Sequence, residues 1–283
     1  MFDFRYHVTS LAAVFIALVI GILVGVAISG RSLIRDTERR VLENDIAVLE
    51  DQLAEAERQI GRQNALEEYE RQTYPAVMEG RLADRRIGVV YVGSAEGEVA
   101  AGIQETVDRA DGVQSMRALQ VPIATGELLR GVADVPDAPQ TVEDLGRSLA
   151  RELVDGGDTP LWDAVGPSLV EEREGGNLPL DAVVVARTAE AQRGQTARFL
   201  AGFYSGLAAA GVPVVGVETA DTEATTVPTY RDHGFSTVDN VDRIPGRVAL
   251  AVLLTGENPG SYGTKEDNTP VLPPVEPVGP ATG

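Results

Sequence analysis

Ile87-Gly-Val-Val-Tyr-Val92, closed by Gly93, is a short apolar run rich in β-branched side chains. A run of that length, bounded by a turn residue, reads as a strand buried on both faces. Val113–Val121, Asp181-Ala-Val-Val-Val-Ala186 and Val212-Pro-Val-Val-Gly-Val217 read the same way, and Val248–Leu254 reads as a further strand. Between these runs, Val99–Ala110, Val142–Val154 and Gln192–Ala210 carry helical spacing, the last closed by Gly211. Alternation of this kind implies βαβ units and a mostly parallel sheet with helices on both faces. The expected fold class is therefore an α/β sandwich domain over residues 82–255. Pro122–Pro139 reads as a loop-rich insert. Residues 256–283 hold six of the sixteen prolines and read as a tail, mostly extended or disordered.

Upstream of the domain the pattern changes. Residues 32–74 contain no Pro, and Gly61 is their only Gly. Leu42, Ile46, Leu49, Leu53, Ala56 and Ile60 recur at alternating spacings of four and three. That is the seam of a coiled coil, flanked here by Glu, Asp, Arg and Gln. The register fades at Gln63 and Glu67, and Pro75 is expected to end the helix. A fully helical stalk of this extent reaches about 65 Å. One amphipathic helix packed on its own globular domain would give a similar pattern.

Residues 11–29 precede the stalk. From Leu11 to Ile28 no side chain is charged or strongly polar, enough to cross a hydrocarbon core of about 30 Å. Phe2, Phe4 and Tyr6 in the tail of residues 1–10 stand where interfacial aromatics anchor a helix. A cleaved signal peptide is the competing reading, with Ala27-Ile28-Ser29 as its cleavage site. The apolar run is longer than such a segment needs, which favours a retained anchor. Ala13, Ala17, Gly21, Gly25 and Ser29 place a small residue on one helix face every fourth position. Small residues let two backbones approach closely in lipid. Stripe and seam together point to a homo-oligomer paired through helix and stalk. Arg31, Arg35, Arg39 and Arg40 follow the span against Arg5 before it, which by charge alone would keep the large part in the cytoplasm.

The chain has 283 residues, a net charge of −19 and no cysteine. The charge argues against nucleic acid as a partner, since phosphate contact needs a basic surface. The absence of cysteine removes disulfides, zinc ribbons, thiolate copper sites and cysteine nucleophiles. No long run of alternating strands suggests an outer-membrane barrel. Residues 31–74 carry 7 basic and 11 acidic side chains, and the tail before them is neutral. The region beyond Tyr74 therefore carries −15 of the total −19.

Ligands of open parallel sheets sit at the carboxyl ends of the strands. Here those ends are Gly93-Ser-Ala-Glu-Gly97, Arg187-Thr188, Glu218-Thr219 and Thr255-Gly256. The first could hold an anion on its amides, but it matches neither phosphate-binding glycine pattern and reads as an ordinary βα turn. His233 beside Asp232 is the domain's only histidine, and Gly202-Phe-Tyr-Ser-Gly206 lies within a helical pattern, so a nucleophile elbow is not expected. His7 and His233 are far apart in sequence and Met1, Met78 and Met116 do not cluster, so no soft-ligand copper site is visible. The metal ligands are left unassigned, and no enzyme activity is expected.

Phe4-Arg-Tyr-His-Val-Thr-Ser-Leu-Ala-Ala-Val-Phe-Ile-Ala-Leu18 resembles the start of the mycobacterial copper transport protein family, MctB. Arg5, His7 and Ser10 to Phe15 carry that match. Ser236, Thr237 and Asp239, then Asp242, Pro245, Gly246 and Arg247, resemble the family's C-terminal block, and Tyr262-Gly263-Thr264 its closing motif. Membrane helix, stalk and α/β domain come in the family's order. The resemblance implies a single-pass membrane protein of the cell envelope with its globular domain outside the cytoplasm. That side is preferred over the charge bias because acids interleave the arginines and the N-terminal tail is short. It also implies a part in copper efflux or tolerance, with no resident cofactor and copper as the transported ion. A single helix encloses no pore, so transport calls for oligomers or partners. The alternative is a non-catalytic envelope scaffold whose acidic head recruits a partner protein.

Overall fold

The computed structural model describes residues 4–265 and 270–277, with side chains from 10 to 27 and from 41 onward. The chain forms two compact units, Met1–Glu68 and Tyr69–Gly283.

The first unit is helical throughout its described length and belongs to helix α1, Phe4–Met78. Within it, Ser10–Ala27 has a mean hydropathy of 2.8 and no buried residue. Length and composition suit a membrane span. The seam residues Leu42, Ile46, Leu49, Leu53 and Ile60 are 53–62% exposed, and Ala56 is exposed too. An apolar stripe of this kind lies uncovered in the single chain.

The second unit opens on the last turns of α1. Pro75 was the expected terminus, yet the helix runs to Met78. A proline costs a helix the hydrogen bond its missing N–H would make, and near a helix end that loss is small against burial. Here Tyr74 is 6% exposed, Met78 is fully buried, and the Glu79 amide donates to the Pro75 carbonyl at 3.0 Å.

Strands β1 (Arg86–Val92), β2 (Val113–Leu119), β3 (Val170–Glu174), β4 (Ala182–Arg187), β5 (Val214–Val217), β6 (Ser236–Val238) and β7 (Ser261–Tyr262) form one sheet in the order β3-β2-β1-β4-β5-β6-β7. Every pairing is parallel except β2 with β3 at the edge. The α/β class and its mostly parallel sheet follow the sequence expectation. Side chains alternate between two cores, as a strand period of two requires. Val90, Val92, Val183 and Val185 enter one core. Ile87, Val89, Tyr91, Ala182, Val184 and Ala186 enter the other.

Helices α3 (Thr125–Gly131), α4 (Val142–Asp155), α5 (Pro160–Leu169) and α6 (Gly194–Ala208) cover the first face. Helices α2 (Glu98–Arg109) and α8 (Ile244–Leu254), with the end of α1, cover the second. The short α7 (Val227–Asp232) precedes β6.

Three expectations need correction. Val248–Leu254 is helical, not a strand, and belongs to α8. Every residue from Val248 to Leu254 is buried, so no polar face remains to betray a period of 3.6. Pro245 in its first turn and the Ala and Leu content favour the helix. The Pro122–Pro139 insert holds α3, anchored by the buried Leu128. The stretch after residue 256 supplies β7 to the sheet, and Pro273 is buried, with Arg81 Nη2 donating to the Glu276 carbonyl at 3.0 Å. Residues 266–269 and 278–283 of that expected tail lie outside the described residues, as do Met1, Phe2 and Asp3 and the side chains of Phe4, Arg5, Tyr6, His7 and Ser29.

Helices α4 and α6 meet backbone to backbone. A Cβ on Gly202 would lie 2.0 Å from the Glu143 carbonyl, and one on Gly146 would lie 2.3 Å from that of Phe199. Neither neighbour can give way, because both are main chain. Gly202→Val is expected to force the helices apart and destabilise the second unit by about 3 kcal/mol. Gly126→Ala, in open space on α3, is expected to be neutral or to stabilise by up to ~1 kcal/mol. Urea unfolding followed by the fluorescence of Trp162, the only tryptophan, separates the two outcomes.

Candidate functional site

The order of the sheet reverses between β1 and β4, since the chain passes from β1 to β2 on one side and from β4 to β5 on the other. Crevices for ligands form at such points, beyond the carboxyl ends of the strands. A cleft of about 490 Å3 lies there, lined by Glu96, Glu98, Arg187, Glu190, Glu218 and Thr222 among others. The turn after β1 is tightly held: Gly93 has φ 113°, and Thr188 Oγ1 donates to the Ser94 carbonyl at 2.7 Å. Only glycine tolerates both that φ and the approach of Thr188, whose Oγ1 would lie 2.7 Å from a Cβ. Gly97 precedes α2, but the carboxylates of Glu96 and Glu98 beside its first turn repel the anions a helix N-terminus would otherwise attract. Arg187 turns aside, donating from Nη2 to the Ala224 carbonyl at 2.7 Å. With Glu96, Glu98 and Glu190 against one guanidinium, the cleft's exposed charge is net negative.

Glu218, at the end of β5, is the cleft's buried member, only 3% exposed. Its Oε2 accepts from the Thr226 amide at 2.8 Å, and its Oε1 accepts from Thr225 Oγ1 at 2.7 Å and from Lys265 Nζ at 2.5 Å. Lys265 Nζ also donates to the carbonyls of Thr222 at 2.9 Å and Thr219 at 3.3 Å. The only lysine of the chain thus neutralises the buried acid.

The C-terminal motif residues assemble around the same edge. Asp239, fully buried after β6, accepts from the amides of Thr264 at 2.8 Å and Lys265 at 3.0 Å. Gly263, with φ 148°, clears the space that Asp239 fills: a Cβ there would overlap Oδ1 at 1.9 Å. Ser236 Oγ accepts from the Gly260 amide at 3.2 Å, and the Thr237 amide donates to the Gly260 carbonyl at 2.9 Å. Tyr262 donates its hydroxyl to the Asn258 carbonyl at 3.0 Å. Asp242 Oδ1 accepts from the Ala220 amide at 2.8 Å. Pro245 starts α8, and Gly246 lets that helix lie against the Asn240 carbonyl, 2.0 Å from where a Cβ would stand. Arg247 donates to the Val241 and Asp242 carbonyls at 3.2 and 3.0 Å, and pairs with Glu105 of α2 at 2.5 Å. Ser236, Thr237, Asp239, Asp242, Pro245, Gly246, Arg247, Tyr262 and Gly263 are therefore one structural latch. It closes the β6–β7 edge and positions Glu218. Arg5, His7 and Ser10 lie on α1, in the other unit.

Sequence reading placed Glu218 only at a strand end and assigned no role to Lys265 or Glu105. Lys265 carried a signal in being the only lysine, but its partner is far away in sequence. His233 packs its ring 5.5 Å from that of Tyr204, at the wall of a second cavity of about 200 Å3 that Arg187, Thr226 and Tyr230 also line. Burial lowers the His233 pKa, against the opposing charge of Asp232. Among the described residues no three His, Cys, Asp or Glu side chains come together to hold a metal ion.

A mostly parallel α/β head following a helix long and apolar enough to cross a bilayer defines the class: an α/β protein whose N-terminal helix suits membrane anchoring. Residues 1–273 match the family described as copper transport outer membrane protein, MctB, and the chain belongs to that family. It is the family read from the N-terminal segment and the C-terminal block. The description is of transport, not of a catalysed reaction. No curated protein matches the chain.

Lys265→Met is expected to leave Glu218 buried without its cation and to lower stability by about 2 kcal/mol. Adding Glu218→Gln should recover part of that loss, as a double-mutant cycle in urea would record.

Proposed function

We propose that this protein is a membrane-anchored copper-homeostasis protein that contributes to copper efflux or tolerance as an oligomer or with partners. The family match over residues 1–273 carries the reading. The apolar span at Ser10–Ala27 supports a single-pass anchor in the bilayer, and the family description supports a head outside the cytoplasm. Ala13, Ala17, Gly21, Gly25 and Ser29 form the packing stripe of the span. The exposed seam from Leu42 to Ile60 forms the coiled-coil interface of the stalk, since pairing would cover apolar side chains that the single chain leaves in water. Copper is cargo here. The acidic head draws cations toward it by its field, and tight coordination falls to a partner or to a site completed between copies.

The expected phenotype of a deletion strain is raised cell-associated copper and heightened copper sensitivity. Complementation by the wild-type gene should restore both, and Gly21→Leu/Gly25→Leu should restore them less well. Unchanged copper content in the deletion strain would sink the copper reading. It would leave the second reading, an envelope scaffold whose head recruits a partner protein, favoured by the −15 charge beyond Tyr74.

Pairing is tested separately. Cysteines introduced at Leu49 or Leu53 should give a disulfide-linked dimer in membranes, whereas one at the head residue Leu178, exposed at 63%, should not. Absence of a dimer band from both stalk positions would count against the coiled coil.

A further inference from the structure

On the opposite side of the sheet from the acidic latch, strand β2 turns a charged residue into the first core. Arg117 is 3% exposed and, two residues from Leu119, shares its face of the strand, against Trp162 of α5. Its cross-strand partner on β3 is Arg173, so two like charges face each other across the edge pair, an arrangement that costs stability. Both guanidinium groups donate from Nη2 to the same acceptor, Asn177 Oδ1, Arg117 at 2.8 Å. The amide is fixed in that orientation because its Nδ2 donates to Thr159 Oγ1 at 2.8 Å. One neutral carbonyl oxygen thus serves two cations.

No carboxylate accepts a hydrogen bond from Arg117 among the described residues. Its Nε is buried without a hydrogen-bond partner. Its guanidinium lies 5.3 Å from the centre of the Trp162 ring, a favourable contact that leaves the donor hydrogens unmet. Trp162 is itself fixed, donating Nε1 to the Leu149 carbonyl at 2.8 Å. Among the described residues no carboxylate forms an ion pair with Arg117. A buried guanidinium normally has such a partner, because an unpaired buried charge is expensive. Burial, with Arg173 adding to it, lowers the Arg117 pKa to about 10, so the group is still a cation at neutral pH.

A cleft of about 370 Å3 opens onto this pair, lined by Arg117, Arg173, Trp162, Asp163, Val170 and Glu171 among others. We propose that the Arg117–Arg173 pair is a binding site for a single oxyanion group, a phosphate or carboxylate, entering through this cleft. The fork of a guanidinium matches the two oxygens of such a group, and an anion placed between the two arginines would relieve their repulsion and give Arg117 the ion-pair partner it lacks. Asp163 and Glu171 are exposed on the cleft wall and repel extended polyanions, so the ligand is a small molecule or one lipid headgroup. The site is independent of the copper reading.

The test uses the full chain in nonionic detergent, with inorganic phosphate, acetate and short-chain phosphatidic acid titrated against chloride at constant ionic strength. Calorimetry and thermal unfolding should record saturable binding and a concentration-dependent rise in Tm. Arg173→Gln, at an exposed position, should keep the fold and weaken binding about tenfold or more. Arg117→Met should abolish it, provided Trp162 fluorescence reports a native fold. Tighter binding of phosphatidic acid than of phosphate identifies a lipid headgroup as the source; equal or weaker binding identifies a free anion, and both support the site. No saturable binding of any of the three, or binding unaltered in Arg173→Gln, overturns it.

Discussion

Strand β1 sends Val90 and Val92 to one core and Ile87, Val89 and Tyr91 to the other, and the rest of the head follows from that division. A parallel sheet that is apolar on both faces must be covered on both. Two helical layers are therefore required, and α4 and α6 fit over one face only because Gly146 and Gly202 let their backbones touch. The other face is completed by α2, α8 and the last turns of α1, which is why the helix persists past Pro75 to bury Met78. Two polar clusters stand out, one at the strand ends and one beside a sheet edge. The acidic latch and the paired arginines lie in those two kinds of place.

Much of this architecture was legible in the sequence where an element is long and its burial uneven. Strands β1 and β4 announce themselves as runs of β-branched residues. Helix α8 does not, because a helix buried all round has no period to read, and its seven consecutive apolar residues mimic a strand. Strands β6 and β7 are too short to carry any pattern, at 3 and 2 residues. They exist because Asp239 and Gly263 hold them in place, and such contacts are fixed by three-dimensional proximity. The C-terminal motif positions could be recognised as a block without their purpose being readable. Glu218 with Lys265, and Arg117 with Arg173, were invisible for the same reason. Each pairing joins residues that local pattern treats separately, and β2 reads only as a strand until β3 is laid beside it.

The uneven charge also has a structural counterpart. Most of the head's acids are not buried, and the buried Glu218 and the half-exposed Glu105 each meet a partly buried cation that closes the fold. Arg247 ties α8 to α2 through Glu105, and Lys265 ties β7 to β5 through Glu218. Cations are thus scarce and assigned to joints, which leaves the surface field to the carboxylates. Arg117 differs from these joints because it is buried without an acid of its own.

The position of Lys265 sets an order of events. A ribosome releases the chain from its amino end, so the apolar helix and then strands β1, β2 and β4 are available long before the latch. Until Thr264 and Lys265 emerge, Asp239 lacks the amides of those two residues and Glu218 the ammonium of Lys265. The head therefore finishes folding only after nearly all of it has been synthesised, while the segment suited to the bilayer has already left the ribosome. Folding of this chain is thereby divided in time: the apolar helix emerges early, and the head closes only once Thr264 and Lys265 have followed.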